Sequence, residues 1–442
     1  MKITFIRPNL SDMPSADAME PLVFALLAGL TPPEVELALF DDRIESIPYD
    51  DPTDLVAMTV ETYTARRAYR LAAEFRRRGV PVVMGGYHPT FVPDEALQHA
   101  NAVVIGEAED LWPRLVGDAQ AGRLQRVYRQ PTLRPLTGLT LDRRLLAGKR
   151  YAPIGLVQTG RGCRFACDFC SIHAFYGSQV RLRPVHEVAA EIEALDHRLI
   201  LLVDDNLFAD PTHAEALFRA LIPLKIHWAC QVSLDIAANT RLLDLMAHSG
   251  CLIALVGFES LDERNLAQMK KKWNLKQNDY AATIQKFRDR GIMLCGTFVF
   301  GYDYDTVDSF ELSLEFALRS KFCLAHFNPL TPTPGAPLYD RLQAEGRLIY
   351  ERWWLDPAFH YGQATFHPRR MTADQLTAGC FYARRQFNTY GAIFRRALDP
   401  AANCRSLHHF YAFMASNLVS RKEIYRKQGL QLGGETTRAV QF

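Results

Sequence analysis

Short apolar runs alternate with helical patterns along two long stretches of this 442-residue chain, and this alternation restricts the fold more than any other feature. Such alternation is typical of parallel sheets whose crossover connections are helices. In the first stretch the predicted strands are Lys2–Arg7, Val35–Phe40, Leu55–Val60, Pro81–Met84 and Ala102–Ile105. In the second they are Ile154–Gln158, Leu199–Val203, His227–Val232, Leu252–Val256, Met293–Phe300 and Leu324–Asn328. We therefore expect an α/β protein with two parallel sheets.

The same patterns divide the chain into four predicted parts. Residues 1–125 are expected to form a Rossmann-like, doubly wound domain. Residues 126–150 contain prolines and a glycine with little periodicity and are predicted to be a linker. Residues 151–340, with six strand–helix units, are expected to form a partial (β/α)6 barrel. Residues 341–442 lose the alternation and are predicted to be a mainly helical, aromatic-rich extension that packs on the open side of the barrel.

Charge and hydropathy exclude several classes of protein. The 51 basic and 49 acidic residues leave a formal net charge of +2, so no global field attracts nucleic acid or an anionic membrane. The first residues, MKITFIRPNL, match neither a signal peptide nor a membrane span, and no apolar run in the chain is long enough to cross a bilayer. Nine cysteines, none of them before Cys163, do not match a secreted disulfide framework. We expect a cytoplasmic protein without a nucleic-acid partner.

Three of the cysteines, Cys163, Cys167 and Cys170, stand in one loop with the spacing C-x3-C-x2-C, directly after a Gly-Arg-Gly turn. Three thiolates can hold three corners of a cubane cluster and leave the fourth iron open to a substrate or cofactor. Structural zinc sites need four ligands, usually as two pairs. We therefore predict that these thiols bind a [4Fe-4S] cluster with one open iron; zinc-binding or simply buried cysteines are the alternative.

The remaining six cysteines lack the paired spacing of a second cluster. We interpret them as small buried apolar residues. They are Cys230, Cys251, Cys295, Cys323, Cys380 and Cys404.

The cysteine spacing, with Phe169 before the last thiol, is similar to the signature of the radical S-adenosylmethionine (SAM) enzymes. The resemblance implies that the open iron chelates the amino and carboxylate groups of SAM, and that the aromatic ring lies near its adenine. Further segments follow the order found in the radical SAM subgroup with an N-terminal cobalamin (B12)-binding-type domain and a C-terminal helical extension. These segments are GGYHPTFVPDEAL, VVIGEAED, LLVDDNLFAD, VGFESLDERNLAQMKKKWN, GTFVFGYDYDT, FNPLTPTPGAPLYDRL and WWLDPAFHYGQATFHPRRMTADQL.

Polar side chains follow successive predicted barrel strands, at the end of the barrel where active sites are built. Asp204 and Asp205 follow one strand, Gln231 and Ser233 lie at the end of the next, and Glu259 ends the one after. We predict that these residues bind SAM. The alternative is that acidic strand ends cap the helices that follow them.

The resemblance assigns further roles in this predicted site. It places Glu259 and Lys271 in the active-site region, and we take both as candidate catalytic residues. Gly301, in the segment GTFVFGYDYDT, is a further candidate cofactor contact. Asp204-Asp205-Asn206 replaces the Gly-Gly-Glu of many radical SAM enzymes, so the contacts with the amino group of SAM are expected to differ.

Cobalamin-binding domains often supply a histidine to cobalt from a loop after the first strand, but the loop Pro8–Pro21 contains no histidine. Two alternatives remain: cobalamin binds without a protein histidine, or the first domain holds no cofactor. His88, which follows two glycines, is expected at the domain interface or beside a phosphate rather than on cobalt.

The predicted function is reductive cleavage of SAM at the cluster, with the radical used to modify a small molecule in natural-product or secondary metabolism. With cobalamin, the outcome would be methylation of a poorly activated carbon or phosphorus. Transfer of the 3-amino-3-carboxypropyl group of SAM to a soft acceptor such as a metalloid is an alternative, and a non-catalytic iron–sulfur protein is another.

A transfer-RNA methylthiotransferase is excluded, because that family needs three more cysteines in its first domain and this chain has none there. The predicted enzyme needs an external electron donor such as flavodoxin or ferredoxin.

Overall fold

A computed structural model describes residues 1–275 and 279–434 and contains, within them, two parallel six-stranded sheets. The strands of the first sheet are β1 Lys2–Arg7, β2 Glu36–Asp41, β3 Leu55–Thr59, β4 Val82–Gly85, β5 Ala102–Ile105 and β6 Val127–Arg129. They lie in the order β2-β1-β3-β4-β5-β6, and every neighbouring pair is parallel. The sixth strand, β6, lies in the segment where the sequence predicts a linker.

Helices cover both faces of the first sheet. They are α1 Leu22–Gly29, α2 Ala65–Arg77, α3 Tyr87–Phe91, α4 Pro93–His99 and α5 Trp112–Gln120. Phe24 of α1 and Trp112 of α5 pack with Phe5 of β1 on one face. On the other face α2 packs beside Trp353 and Trp354 from the C-terminal region, so this region completes the core of the first domain.

The second sheet is curved into a partial barrel. Its chain segment contains β7 Gly155–Val157, β8 Gly160–Arg161, β9 Arg181–Leu182, β10 Leu199–Leu202, β11 His227–Val232, β12 Cys251–Glu259, β13 Met293–Phe300 and β14 Leu324–Pro329. The parallel order is β14-β13-β12-β11-β10-β7, while β8 and β9 form a separate antiparallel pair. The six predicted barrel strands are all present, and the β8–β9 pair is an addition that the sequence patterns did not predict.

The barrel helices lie outside the sheet. They are α6 Ser171–Tyr176, α7 Val185–Ala194, α8 Pro211–Leu221, α9 Thr240–His248, α10 Glu263–Gln268, α11 Lys272–Leu275, α12 Tyr280–Asp289, α13 Asp308–Arg319 and α14 Pro337–Ala344. Side chains on the outer face of the strands, such as Trp228, Phe258 and Phe298, are fully buried against these helices. Alternate residues face the interior of the barrel, because side chains alternate along a strand.

The C-terminal region is mainly helical, as expected, with α15 Ala373–Phe387, α16 Tyr390–Ala397 and α17 Leu407–Lys427. Helix α15 packs along the edge strand β14, where the Arg384 Nε–H donates to the carbonyl oxygen of Phe327 at 2.8 Å. The α/β fold class with a helical C-terminal extension is therefore confirmed. Within the described ranges, none of the helices combines the length and the apolar character that crossing a bilayer requires.

Candidate active site

The three predicted cluster thiols lie in a loop that the β8–β9 pair closes at its base. Gly162, with φ of +89°, begins this loop, and a side chain there would collide with the carbonyl oxygen of Gln179. Cys167 is buried, whereas Cys163 and Cys170 are half-buried. Only glycine adopts this backbone conformation without strain, so Gly162 determines the path that the chain takes from β8 into the thiol loop.

Asp204 holds the base of the cluster loop. Its carboxylate accepts the backbone N–H of Thr159 at 2.6 Å and also the hydroxyl of Thr159. Burial raises the pKa of Asp204 to about 6, although the hydrogen bonds from Thr159 oppose this rise. The structure therefore places Asp204 beneath the loop, with both carboxylate oxygens engaged by Thr159, and a direct contact with SAM stays a prediction.

Asp205 and Asn206 contact the loop itself. The Gly162 N–H donates to the Asp205 carboxylate at 2.7 Å, and the Asn206 amide lies 3.8 Å from Cys163 Sγ. The same amide is fixed by Ser233, whose backbone N–H donates to Asn206 Oδ1 at 3.1 Å. Gln231 donates to the carbonyl oxygen of Asp205 at 2.9 Å. Four of the predicted site residues and Asn206 thus lie around the thiol loop, where Gln231 is hydrogen-bonded to Asp205 and Ser233 to Asn206, while Asp204 bonds to Thr159.

Glu259 and Lys271 form a second group beside the thiols. Lys271 Nζ lies 2.7 Å from Glu259 Oε1, and the Thr297 hydroxyl donates to Glu259 Oε2 at 3.1 Å. Glu259 adopts φ of +64°, a conformation that is uncommon for a residue with a side chain and that clusters at functional sites. The ammonium of Lys271 favours the thiolate forms of Cys163 and Cys167.

The other two predicted cofactor contacts, Phe169 and Gly301, belong to neither of these hydrogen-bonded groups. Phe169 packs partly against the barrel core, with its ring centre 6.5 Å from that of Tyr302. Gly301 faces the C-terminal region, since a side chain there would approach Phe366 to 2.8 Å and Leu376 to 2.9 Å. Phe169, within the cluster loop, therefore packs toward the barrel core, whereas the open side of Gly301 faces aromatic and aliphatic side chains of the C-terminal region.

The thiols fit a cubane cluster better than a single metal ion. Burial raises the pKa of Cys167 to about 12 and raises the pKa values of Cys163 and Cys170, whereas metal coordination favours the thiolate form of cysteine. Within the part of the chain that the structure describes, no three His, Cys, Asp or Glu side chains converge on one ion. Thiolates of a cubane bind separate irons, so they need not converge on one point.

A cavity of about 530 Å³ joins the first sheet to the cluster loop. Its walls include Gly86 and Gly106 at the ends of β4 and β5, and Phe175 and Tyr176 of α6. Gly86 has φ of +105°, and a side chain there would come within 2.9 Å of the carbonyl oxygen of Val60. The volume lies within the usual range for cofactor sites, about 300–1,000 Å³, and the position beyond the strand ends is where such sheets bind ligands.

Buried ion pairs form one wall of this cavity. Arg161, in the Gly-Arg-Gly turn, lies 2.7 Å from Glu107 and 2.5 Å from Glu109, and Arg181 lies 2.6 Å from Glu107. Although burial opposes ionisation, the two arginines hold the pKa of Glu107 below its ordinary value. The sequence patterns missed this group, since nothing in the spacing of Arg161 and Glu107 indicates that they meet.

Histidine is absent from the described residues that line the cavity. His88 lies instead in a buried network, with its Nε2 at 3.0 Å from the hydroxyl of Tyr69 and 3.2 Å from Glu95. Trp354 also donates to Glu95 at 2.9 Å, so the network joins the first domain to the C-terminal region. The cavity thus fits a cofactor that takes no imidazole from the protein, and His88 lies at the interface that the sequence suggested.

Two family models match the chain. The B12 binding domain matches residues 28–116 and the Radical SAM superfamily matches residues 157–317. Two of the most similar relatives, both from Chlorobaculum tepidum, are bacteriochlorophyllide d C-12(1)-methyltransferase and bacteriochlorophyllide d C-8(2)-methyltransferase. Each is 29% identical; the first alignment covers 87% of this chain and 86% of the relative, and the second covers 77% and 79%.

The fold is shared with two solved structures. TsrM from Kitasatospora setae, a radical S-adenosylmethionine methyltransferase with cobalamin and a [4Fe-4S] cluster bound, gives a TM-score of 0.66 at 17% identity over 96% of this chain and 98% of TsrM. The cobalamin-dependent radical enzyme OxsB, with aqua-cobalamin and S-adenosylmethionine bound, gives 0.67 at 14% identity over 95% of this chain and 72% of OxsB.

Fold and thiol loop together define an α/β protein with three cysteines, spaced as for an iron–sulfur cluster, at the mouth of a partial barrel next to a Rossmann-like domain. Residues 28–116 match a B12 binding domain and residues 157–317 match the radical SAM superfamily, in the order that the sequence predicts. The two matches confirm the prediction of a radical SAM enzyme with a B12-binding-type domain, and they agree with the predicted cofactors, which are the cluster, SAM and, as a possible third, cobalamin. The domain boundaries, the individual roles of the site residues, the electron donor and the cytoplasmic location stay predictions.

Proposed function

We propose that the protein is a cobalamin-dependent radical SAM methyltransferase that methylates a carbon atom of a small molecule. The observation that carries this proposal is the cavity of about 530 Å³, which lies between the strand ends of the B12-binding domain and the two segments that flank the thiol loop, the Arg161 turn and helix α6. A ligand in this cavity faces the cluster side of the barrel, so a methyl donor and a radical source can act on one substrate.

The residues on the two sides of this cavity fit the cofactors of such an enzyme. Cys163, Cys167 and Cys170 would hold the cluster, and the strand ends near Gly86 and Gly106 would hold cobalamin. When bound, the cluster supplies the electron that cleaves SAM, and cobalamin carries the methyl group.

The chain's own polar groups position the reactants. The Lys271 ammonium can pair with the SAM carboxylate, and Glu259 both orients Lys271 and offers Oε2 to ribose hydroxyls. The Asn206 amide points at Cys163 Sγ, and hydrogen bonds to cluster sulfurs tune the reduction potential. The buried walls exclude water, which protects a carbon radical from side reactions.

Similar proteins support a carbon acceptor. The two Chlorobaculum tepidum relatives are methyltransferases of bacteriochlorophyllide d by name, and the Rhodopseudomonas palustris relative, 25% identical over 75% of this chain, is a hopanoid C-2 methylase. A radical methylation at carbon would consume two SAM molecules and two electrons, which an external electron donor supplies. One gives its methyl group and leaves S-adenosylhomocysteine, and the other is cleaved to methionine and a 5′-deoxyadenosyl radical that takes a hydrogen atom from the substrate carbon.

The test is an anaerobic count of SAM products with the cluster- and cobalamin-loaded enzyme, a chemical reductant and candidate acceptors. We expect S-adenosylhomocysteine and 5′-deoxyadenosine to accumulate together in the presence of substrate. Methylthioadenosine instead of these products would indicate transfer of the 3-amino-3-carboxypropyl group. The absence of all three products, with the cluster intact, would indicate the non-catalytic alternative. The Cys163→Ala, Cys167→Ala, Cys170→Ala variant serves as the blank.

A further inference from the structure

The last helices of the protein expose an unusual share of its large apolar side chains. Ten of the fourteen large hydrophobic residues that are exposed in the described chain lie between Tyr382 and Tyr425. Monomeric proteins rarely expose contiguous apolar patches of this kind, and those that do use them for interactions. The aromatic residues of the C-terminal region therefore divide into two sets, because others, such as Phe387 and Phe413, are fully buried.

Helix α16 carries one exposed apolar stripe. Tyr390, Phe394 and, one position after the helix, Leu398 are 67%, 64% and 62% exposed. They are spaced by four residues, so they lie on one face of the helix. The buried face of the helix consists of Ala392, Ile393, Arg396 and Ala397, and Ile393 and Ala397 pack against the base of the barrel strands.

Helix α17 carries a second stripe. Its exposed residues Leu407, Tyr411, Leu418 and Tyr425 are separated by four, seven and seven positions, which places them along one face. The buried residues of the same helix lie on the other face; they are Ala412, Phe413, Asn417 and Glu423. The outward face of α17 is thus apolar where a surface helix is normally polar.

Arg421 connects the two stripes into one surface, which we call the α16–α17 face. Its guanidinium carbon lies 4.2 Å from the ring centre of Tyr390 and 5.2 Å from that of Tyr425. Because one guanidinium contacts both rings, the stripes of α16 and α17 are adjacent. The face is therefore continuous and is rimmed by basic residues.

The charge of this region is strongly unbalanced. Residues 382–427 contain nine Arg and Lys and only two acidic residues, in a chain whose formal net charge is +2. Both acidic side chains are buried and paired, Asp399 with Arg288 and Glu423 with Arg426. Four basic residues are exposed, namely Arg385, Arg395, Arg405 and Lys422.

We propose that the α16–α17 face docks the enzyme on an anionic lipid bilayer. Aromatic and aliphatic side chains on one helix face, flanked by arginine and lysine, are the pattern of helices that lie in the membrane interface. Exposed basic residues add attraction to anionic headgroups. A second copy of this chain is the competing occupant, but a symmetric pairing would bring the same arginines and lysines together and is opposed by their repulsion.

The test is flotation of the full-length, cluster-loaded protein with phosphatidylcholine vesicles that contain or lack phosphatidylglycerol. We expect binding to the anionic vesicles, at least about tenfold weaker binding to the neutral ones, and weakening of the former by high salt. No binding to anionic vesicles, or equal and salt-independent binding to both kinds, would overturn the proposal.

Two variants separate the apolar and the charged contributions. Tyr390→Ser, Phe394→Ser, Tyr411→Ser removes exposed rings, and Arg395→Glu, Lys422→Glu reverses two charges; we expect each to reduce binding to anionic vesicles by roughly 10- to 30-fold. The matched control is Val127→Ser, Arg129→Glu on β6, an exposed pair in the first sheet, which should bind like the unmodified protein.

A sedimentation measurement distinguishes the competing occupant. If the unmodified protein is a dimer without lipid, and if the ring variant is a monomer, the face is an interface between copies and the proposal is wrong. A monomer in both cases, together with vesicle binding that only the variants on the α16–α17 face lose, supports it.

Discussion

The guanidinium of Arg161 lies 2.7 Å from the carboxylate of Glu107, so the turn that begins the cluster loop is ion-paired with the end of strand β5 in the first domain. Arg181, from the other strand of the β8–β9 pair, reaches the same carboxylate at 2.6 Å. Both glutamate and arginines are almost completely shielded from solvent. The Glu107 carboxylate thus joins both strands of the β8–β9 pair to one wall of the cavity, and Glu109 adds a second buried carboxylate to Arg161.

Replacing Glu107 by glutamine should therefore destabilise the protein. The change removes the negative charge that balances the buried guanidinium groups of Arg161 and Arg181. Removing one partner of a buried ion pair lowers the free energy of unfolding by up to about 3–5 kcal/mol. We expect the free energy of unfolding in urea to fall by about 2–4 kcal/mol. The control is Glu36→Gln, which removes an exposed pair with Lys2 and should change stability by no more than about 0.5 kcal/mol. Equal effects of the two variants would contradict this role of Glu107.

Removal of the three loop thiols should abolish the cluster. We expect the Cys163→Ala, Cys167→Ala, Cys170→Ala variant to retain no iron or sulfide after anaerobic reconstitution, since no other three His, Cys, Asp or Glu side chains converge on a metal in the described chain. The control is Cys404→Ala, because Cys404 is also a half-buried free thiol but lies between α16 and α17. A full cluster in the triple variant would contradict the assignment of the ligands.

The strands of the two parallel sheets could be predicted from the alternation of apolar runs with helical periodicity. All eleven predicted strands are present, because short apolar runs followed by helical periodicity leave few alternatives in a parallel α/β protein. The β8–β9 pair was missed because two strands of two residues each carry no periodicity. Strand β6 was missed because its three residues, Val127–Arg129, are too few to show an alternating pattern. Its position is set by pairing with β5.

Site residues are predicted less completely than strands. The thiol spacing is local, so the motif identifies Cys163, Cys167 and Cys170 directly. Asp204 was expected to contact SAM, but whether an aspartate after a strand faces a ligand or the neighbouring loop depends on the tertiary position of Thr159. The ion pairs of Arg161 with Glu107 and Glu109 cross between domains, and no periodicity reports such a contact.

Glu259 should matter for SAM binding rather than for cluster assembly. Its carboxylate fixes Lys271 at 2.7 Å and accepts the Thr297 hydroxyl at 3.1 Å. Since hydrogen bonds to charged groups contribute about 1.5–3 kcal/mol, we expect Glu259→Gln to raise the Kd of SAM by roughly 10- to 100-fold in calorimetry, with iron content unchanged. Thr297→Val removes only one hydrogen bond to Glu259 and should have a smaller effect. Unchanged affinity in Glu259→Gln would exclude this role.

Asp305 should make stability decrease between mildly acidic and neutral pH. Burial raises its pKa to about 7, although N–H groups of Gly301 and Tyr302 donate to it. In the unfolded chain the group ionises near 3.8, so between these values unfolding releases a proton and stability falls as pH rises. The slope from this group is at most about 1.4 kcal/mol per pH unit. In the Asp305→Asn variant, the free energy of unfolding in urea should lose this dependence on pH between pH 5 and 7.5. The same slope in the variant would show that it does not come from Asp305.

Cobalamin should bind without a nitrogen ligand from the protein. No histidine is found in the loop Pro8–Pro21 or among the described residues that line the cavity, and His88 is fully buried on Tyr69 and Glu95. We therefore expect the paramagnetic resonance spectrum of the cobalt(II) form, after loading with hydroxocobalamin, to lack hyperfine splitting from an axial protein nitrogen. The same sample with added imidazole provides the reference, because it shows the splitting that a nitrogen ligand produces. Two labelled samples identify the source of any splitting in the untreated sample. Splitting that is unchanged by ¹⁵N in the cobalamin but changes with ¹⁵N in the protein comes from a protein nitrogen and would contradict the prediction.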